Sequence, residues 1–199
     1  MGWLNLAHLI DCSEAEGPGK RFVIWVQGCL MNCPKCCNQD MLPIKPANIM
    51  STDEVIDLIN QAYKQHHIEG ITLLGGEPFL QAKGLVIVAK ACKDLGLSVM
   101  CFTGYTYESL LTTKTIDGAQ ELLAYIDVLV DGPFKENLPE AKRNWVGSTN
   151  QRFIYLSNCY NSSIEHQPTM TQEWRIDLKG SIKINGTPYL MHFTSENTP

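Results

Sequence analysis

Three cysteines near the start of the chain constrain its fold and its chemistry more than any other feature. Cys29, Cys33 and Cys36 have the spacing C-x3-C-x2-C and follow the apolar run at residues 22–26. Such a run predicts a buried strand, so the thiols lie on the loop that leaves it. Cysteine thiolates are the usual ligands of iron–sulfur clusters, and a full set is four. Three thiolates on one loop therefore predict a cubic cluster whose fourth iron is open for chemistry.

Two other interpretations of the cysteines compete with a cluster. A structural zinc site would take Cys37 or His8 as its fourth ligand, but zinc ligands usually come as two separated pairs. The remaining cysteines are isolated along the chain, at Cys12, Cys92, Cys101 and Cys159. The zinc interpretation stays open on spacing alone. A disulfide framework fits poorly, because bridges within so tight a group would be strained.

A second motif follows another apolar run. Residues 71–74 predict a buried strand, and Gly75-Gly76-Glu77-Pro78 predicts a sharp turn at its end. Glycines there expose backbone carbonyls, Glu77 supplies a negative charge, and Pro78 fixes the turn. Taken alone, these four residues are equally typical of a loop between a strand and a helix.

Together the two motifs resemble the signature of the radical S-adenosylmethionine (SAM) superfamily. Four further segments narrow the resemblance by their order and spacing, at residues 16–21, 102–108, 126–134 and 145–152. They resemble the activating enzymes of anaerobic (class III) ribonucleotide reductase, in the pyruvate formate-lyase activase-like group. The resemblance covers about residues 15–157.

The resemblance implies a role for ten residues. Cys29, Cys33 and Cys36 would hold a [4Fe-4S] cluster, while Gly75, Gly76, Glu77 and Pro78 form the turn that binds the SAM amino group. Thr103 and Gly104 lie where the family contacts the ribose region, and Asp131 faces the same mouth. Asp131 is equally typical of a turn before Gly132. Asn150 and Arg152 fit a turn and a surface charge better than a functional site.

The sequence also departs from the family pattern. Cys37 stands where the family usually has an aromatic residue before Asn38, so Cys37 is an alternative third ligand, although spacing favours Cys36. Trp145-Val146-Gly147 replaces Trp-Arg-Gly. Residues 158–199 extend beyond compact activases, so we expect a core domain at 1–157 and a C-terminal extension at 158–199.

The implied reaction is reductive cleavage of SAM into methionine and a 5′-deoxyadenosyl radical, which abstracts hydrogen from a polypeptide. The implied partners are a glycyl radical enzyme and an electron donor such as flavodoxin or ferredoxin. An alternative is a tailoring enzyme, such as a splicease, epimerase or crosslinker, that modifies a ribosomally made peptide with a small partner protein. A plain iron–sulfur electron carrier is disfavoured, because a carrier needs no SAM turn.

Alternating strands and helices predict an α/β fold. Strands are expected at residues 22–26, 71–74, 97–102, 126–130 and 153–156. Helices are expected behind a capping box at Ser51 and Glu54, at residues 81–95, and at 107–125 with a break near 112–118. Such alternation is typical of a parallel sheet covered by helices, and the resemblance implies an open partial (β/α) barrel. A short C-terminal β extension would form two strands around Asn185-Gly186.

Composition restricts partners and location. The formal net charge is −5 and the chain has no basic run, so we expect no nucleic-acid partner. No apolar stretch approaches the ~20 residues of a membrane span, so we expect no membrane insertion. Scattered single cysteines are typical of proteins in a reducing cytoplasm.

Overall fold

A computed structural model describes residues 2–176 and 182–186 of the chain. Its strands are β1 (Trp3–Ser13), β2 (Arg21–Val26), β3 (Asn48–Ser51), β4 (Gly70–Gly75), β5 (Ser98–Phe102), β6 (Val128–Asp131), β7 (Arg152–Tyr155), β8 (Gln172–Ile176) and β9 (Ile182–Gly186). Its helices are α1 (Thr52–His66), α2 (Ala82–Asp94), α3 (Tyr107–Thr112) and α4 (Ala119–Leu123), with single 3-10 turns at Gln39–Met41, Pro78–Gln81 and Ser162–Glu165.

Seven strands form one mixed sheet in the order β3-β1-β2-β4-β5-β6-β7. The four central strands, β2, β4, β5 and β6, run parallel as predicted. The predicted parallel sheet is extended on both sides by antiparallel strands, because β1, β3 and β7 pair antiparallel with their neighbours. A parallel neighbour usually needs a helical crossover. Residues 132–151 contain no helix, so β7 returns antiparallel to β6. The curvature of a partial barrel stays a prediction.

The two faces of the sheet are covered differently. Side chains of β2 alternate, so that Phe22, Ile24 and Val26 join the core formed with α1, α2 and α4. Among the described residues no helix covers the opposite face, so the predicted covering of the sheet by helices is found on one face only. Part of it packs instead against Val146 and Ile164, from the segments that follow β6 and β7. All six residues of β2 are buried, because both faces are covered.

Local signals place the helices accurately. Ser51 and Glu54 form the predicted capping box at the start of α1. The helix stops at His67, which adopts the left-handed conformation with φ 54°. Helix α2 spans most of the predicted range, and the predicted break separates α3 from α4. Within the described ranges, every helix is too short or too polar to traverse a bilayer.

The C-terminal β extension is a separate two-stranded ribbon of β8 and β9. The predicted turn at Asn185-Gly186 is wrong, because both residues lie in β9 opposite Glu173 and Gln172. The partner of β9 is the earlier strand β8, so the connection falls at residues 177–181. Those residues and the predicted second strand after Gly186 lie outside the described parts of the chain.

Candidate active site

The motif loops meet at one edge of the sheet. The cysteine loop (residues 27–38) follows β2, the GGEP turn (residues 75–78) begins at the end of β4, and Thr103 and Gly104 follow β5. Because β2, β4 and β5 are adjacent and parallel, their carboxyl ends lie side by side. Ligands of open α/β sheets bind outside such carboxyl ends.

The GGEP turn packs directly on the start of the cysteine loop. The Gly76 N–H donates to the Val26 carbonyl at 2.8 Å, and the Glu77 N–H donates to the Gly28 carbonyl at 2.9 Å. A Cβ atom added at Gly76 would lie 2.2 Å from the Gly28 oxygen. Real Cβ atoms do not approach an oxygen so closely, so glycine is required here for backbone contact.

Gly75 has a similar steric role. Its φ is +108°, and an added Cβ would lie 2.6 Å from the Val26 nitrogen. Its carbonyl accepts a hydrogen bond of 3.1 Å from Asn38 Nδ2 at the end of the cysteine loop. Sequence reasoning assigned exposed carbonyls to these glycines, whereas the Gly75 carbonyl is engaged within the protein. Pro78 is buried and opens the 3-10 turn that leads to α2.

Glu77 connects the GGEP turn to the residues after β5. Its carboxylate accepts hydrogen bonds from Thr103 Oγ1 at 2.8 Å, from the Gly104 N–H at 2.8 Å and from the Phe79 N–H at 3.0 Å. The side chain is buried, and burial raises its pKa to about 7 although the three hydrogen bonds act in the opposite direction. The structure thus brings Glu77, Thr103 and Gly104 into direct contact.

The three predicted cluster ligands lie half-buried on one loop. Two of their sulfurs accept backbone hydrogen bonds of 3.4 Å, Cys29 Sγ from Met31 and Cys36 Sγ from Asn38. Burial raises the pKa of the Cys29 and Cys33 thiols. Among the described residues, no three His, Cys, Asp or Glu side chains are gathered closely enough to hold a metal ion.

The donor set nevertheless fits an iron–sulfur cluster better than zinc. Two of the three thiols on the loop, those of Cys29 and Cys36, accept N–H···S bonds of the kind that tune iron–sulfur centres. The adjacent Cys37 side chain lowers the pKa of the Cys36 thiol to about 6. A lowered pKa favours the thiolate form that binds iron. His8, the other fourth ligand considered for zinc, lies instead against Trp25 with ring centroids 5.7 Å apart.

Asp131 ends β6 at the same edge of the sheet but is engaged within the protein. It is fully buried, and its carboxylate accepts from Arg152 Nε at 2.9 Å and from the Tyr107 N–H at 2.7 Å. Arg152 also pairs with Glu108. These contacts join β6, β7 and the start of α3. A contact between Asp131 and SAM stays a prediction.

Sequence reasoning missed several contacts at this edge. Met31 covers Gly104, since a Cβ added at Gly104 would lie 2.9 Å from its side chain. Lys35 forms an ion pair with Glu136, and Asn150 donates to the Pro133 carbonyl at 2.8 Å. These contacts join segments that are far apart in the chain, so no local sequence pattern predicts them.

Comparisons with known proteins found a matching family model and similar curated proteins. The model of the family described as "4Fe-4S single cluster domain" matches residues 15–154. The anaerobic ribonucleoside-triphosphate reductase-activating protein of Enterobacteria phage T4 is 34% identical over 157 residues, which are 75% of this chain and 92% of the relative. Its namesake from Vibrio cholerae is 34% identical over 156 residues, covering 74% and 96%.

Two more distant matches extend the comparison. A putative glycyl-radical enzyme activating enzyme of Haemophilus influenzae is 29% identical over 154 residues, covering 76% of this chain and 57% of the relative. The structure of QueE from Escherichia coli gives a TM-score of 0.42 at 15% identity, over 52% of this chain and 54% of that one. A likeness this low permits no comparison of sites.

Proposed function

Because the chain belongs to the 4Fe-4S single cluster domain family, as a radical SAM enzyme of the activase-like kind, we propose that it activates a glycyl radical enzyme of the anaerobic ribonucleotide reductase type. One observation carries the proposal beyond sequence likeness. The GGEP turn, which a simple electron carrier would not need, is hydrogen-bonded to the base of the cysteine loop. This contact supports one site built from both motifs.

The residues of this site would have two separate roles, in binding the cluster and in binding SAM. Cys29, Cys33 and Cys36 would hold the [4Fe-4S] cluster, and Glu77 with Thr103 and Gly104 would orient SAM. A cluster of this kind supplies the one-electron reduction that splits SAM into methionine and a 5′-deoxyadenosyl radical. The protein orients the reactants and excludes water from them. An external donor such as flavodoxin or ferredoxin would deliver the electron.

We expect SAM to bind more tightly as the pH rises from 6 to 7.5. The SAM ammonium pairs best with ionised Glu77, and the pKa of Glu77 lies at about 7 before SAM binds. If only the ionised form binds, affinity increases about eightfold over this range, because the ionised fraction grows by that factor. Calorimetry on anaerobically reconstituted protein measures the effect.

Glu77→Gln should remove this pH dependence and weaken SAM binding about tenfold to a hundredfold, the scale of one charge-assisted contact. The matched control is Glu121→Gln, an exposed carboxylate on α4, which should retain the wild-type profile. If the pH dependence of SAM binding were unchanged in the Glu77 variant, Glu77 would not pair with SAM. Its role would then be to hold Thr103 and Gly104.

The surface of the ribbon of β8 and β9 supports the proposal that the protein has a polypeptide partner. One face of the ribbon is polar and docks on residues 12–16, with Glu173 accepting from Ser13 Oγ at 2.8 Å and Asn185 donating to Glu16 at 3.2 Å. Strand alternation places Trp174 and Ile176 on the opposite face, where they are 47% and 69% exposed. Exposed apolar surface of this kind marks interaction sites. We propose that the extension, residues 158–199, contacts the polypeptide partner.

Ile176→Lys should weaken partner binding about tenfold while the free energy of unfolding changes by less than ~0.5 kcal/mol, because the residue is exposed. Leu111→Lys, which alters a 48% exposed leucine on α3, is the matched control and should leave binding unchanged. If both variants bound the partner with equal affinity in a pull-down titration, the ribbon would have no role in partner binding.

The substrate distinguishes the activase from the tailoring enzyme. The protein, SAM and a reductant are incubated anaerobically with the catalytic subunit of an anaerobic ribonucleotide reductase, and the glycyl radical is recorded by electron paramagnetic resonance. A stoichiometric doublet supports the activase. Absence of a radical, together with a mass change in a ribosomally made precursor peptide, would support the tailoring enzyme.

We also propose a cytoplasmic location, since all eight cysteines are free thiols.

A further inference from the structure

The ribbon of β8 and β9 rests on residues 12–16 through a compact group of polar side chains. Its centre is Asn185, whose Nδ2 atom lies 3.1 Å from Ser13 Oγ, 3.2 Å from Glu16 Oε1 and 3.3 Å from Glu173 Oε2. An amide nitrogen carries two hydrogens, so it serves three acceptors here. Two carboxylates, one from each side of the contact, therefore share a single neutral donor and lie close to each other.

The carboxylate on the ribbon is well compensated. Glu173 accepts from the Glu14 N–H and from Ser13 Oγ, each at 2.8 Å, and pairs with Arg175 at 2.7 Å. Burial acts to raise the pKa of Glu173, but these bonds lower it, so this side chain is charged at neutral pH. Arg175 also donates to the Cys12 carbonyl at 2.6 Å, so its guanidinium is engaged away from the second carboxylate.

The second carboxylate, that of Glu16, lacks such a cation. It is 9% exposed, and among the described residues no lysine or arginine pairs with it. The charged or titratable groups that face it are Glu173 and Arg175 from β8, and the Cys37 thiol lies within electrostatic range on the cysteine loop. Cys37 stays uncharged, because the adjacent Cys36 side chain raises its pKa. Ionised Glu16 would therefore be a buried charge beside the like charge of Glu173.

Docking of the ribbon and protonation of Glu16 are therefore linked. Burial raises the pKa of Glu16 to about 7, although the hydrogen bond from Asn185 acts in the opposite direction. A Glu16 side chain released into water would return to the ordinary value of 4.5. Between these two values the docked state holds a proton that the undocked state has lost. A two-stranded ribbon is at best marginally stable by itself in water, so undocking would also open its strands.

We propose that the ribbon is a pH-sensitive latch, which closes over residues 12–16 while Glu16 carries a proton and loosens when Glu16 and Glu173 are both ionised. A carboxyl group that binds its proton more tightly in the docked state stabilises docking at low pH, and this stabilisation is lost as the pH rises from 4.5 to about 7. Above that range both states release the proton, and the effect levels off. The latch depends on neither the cluster nor SAM, so it goes beyond the proposed function.

The test is hydrogen exchange of the full chain, expressed as protection factors corrected for the intrinsic effect of pH. Between pH 5.5 and 7.5, protection of the amides in β8 and β9 should fall about twentyfold, the ratio set by pKa values of 4.5 and about 7. These amides should be less protected than those of α1 at every pH, which marks local opening. Glu16→Gln, the neutral isostere of the protonated side chain, should keep the ribbon equally protected throughout.

Glu14→Gln is the matched control, since it removes an exposed carboxylate two residues away, and it should follow the wild type. Protection of the wild-type ribbon that does not change with pH would overturn the latch, as would the same fall in Glu16→Gln. Equal protection of the ribbon and α1 would also overturn it, because the ribbon would then open only by global unfolding. If Glu16→Gln does not fold, Glu16→Ala removes the same titrating group, and a persistent fall in that variant excludes Glu16.

Discussion

Cys36→Ala is expected to abolish cluster uptake, whereas Cys37→Ala should leave most of it. The C-x3-C-x2-C spacing ends at Cys36, and its sulfur accepts a backbone hydrogen bond from Asn38. Cys37 is more exposed than Cys36. Iron and sulfide analysis after anaerobic reconstitution measures the difference. The wild type should carry about four irons per chain, and Cys36→Ala should carry almost none.

The two adjacent cysteines provide their own control, since both variants lose one thiol at neighbouring positions. Loss of the cluster in Cys37→Ala with retention in Cys36→Ala would mean that Cys37 is the third ligand. Tightly bound zinc in the wild type, with no uptake of iron, would restore the zinc interpretation of the motif.

Gly76→Ala is expected to have the second-largest effect. The new Cβ would lie 2.2 Å from the Gly28 oxygen, and a backbone atom cannot move aside as a flexible side chain can. We expect the free energy of unfolding to fall by about 3 kcal/mol, at the upper end for overpacked sites. The GGEP turn should also separate from the cysteine loop, so SAM binding should be lost. Urea unfolding and calorimetry measure the two effects.

Gly2→Ala is the matched control, because the nearest atoms to its new Cβ would be side-chain carbons of Ile87 and Thr52 at 3.2 Å. Its unfolding free energy should change by less than about 1 kcal/mol. If both alanine variants were equally stable and both bound SAM, the close contact between the GGEP turn and the cysteine loop would not be needed for function.

Much of the fold was predictable because local signals were strong. The capping box at Ser51 and Glu54 and the continuous apolar runs located α1 and the four parallel strands. Strand β1 was not predicted, since His8 and Asp11 interrupt its apolar pattern. The local sequence also did not predict whether neighbouring strands pair parallel or antiparallel. It depends on the connections between strands, such as the helix-free segment between β6 and β7.

The site was predictable as a set of loops but not as a set of contacts. The order of the motifs placed the cysteine loop, the GGEP turn and Thr103 at one edge of the sheet. The hydrogen bonds of Glu77 to Thr103 and Gly104, and of Asn150 to Pro133, depend on how those loops fold against each other. Asp131 and Arg152 are a related case, because their ion pair forms only once β6 and β7 are adjacent.

The most direct test of the radical SAM assignment is the product of SAM cleavage under strictly anaerobic conditions. Reconstituted protein is mixed with SAM and a strong one-electron reductant, and the nucleosides are separated by liquid chromatography and mass spectrometry. We predict 5′-deoxyadenosine and methionine in equal amounts, with neither formed by Cys36→Ala. Intact SAM after prolonged incubation of protein that carries four irons, with and without the candidate partner, would contradict the account.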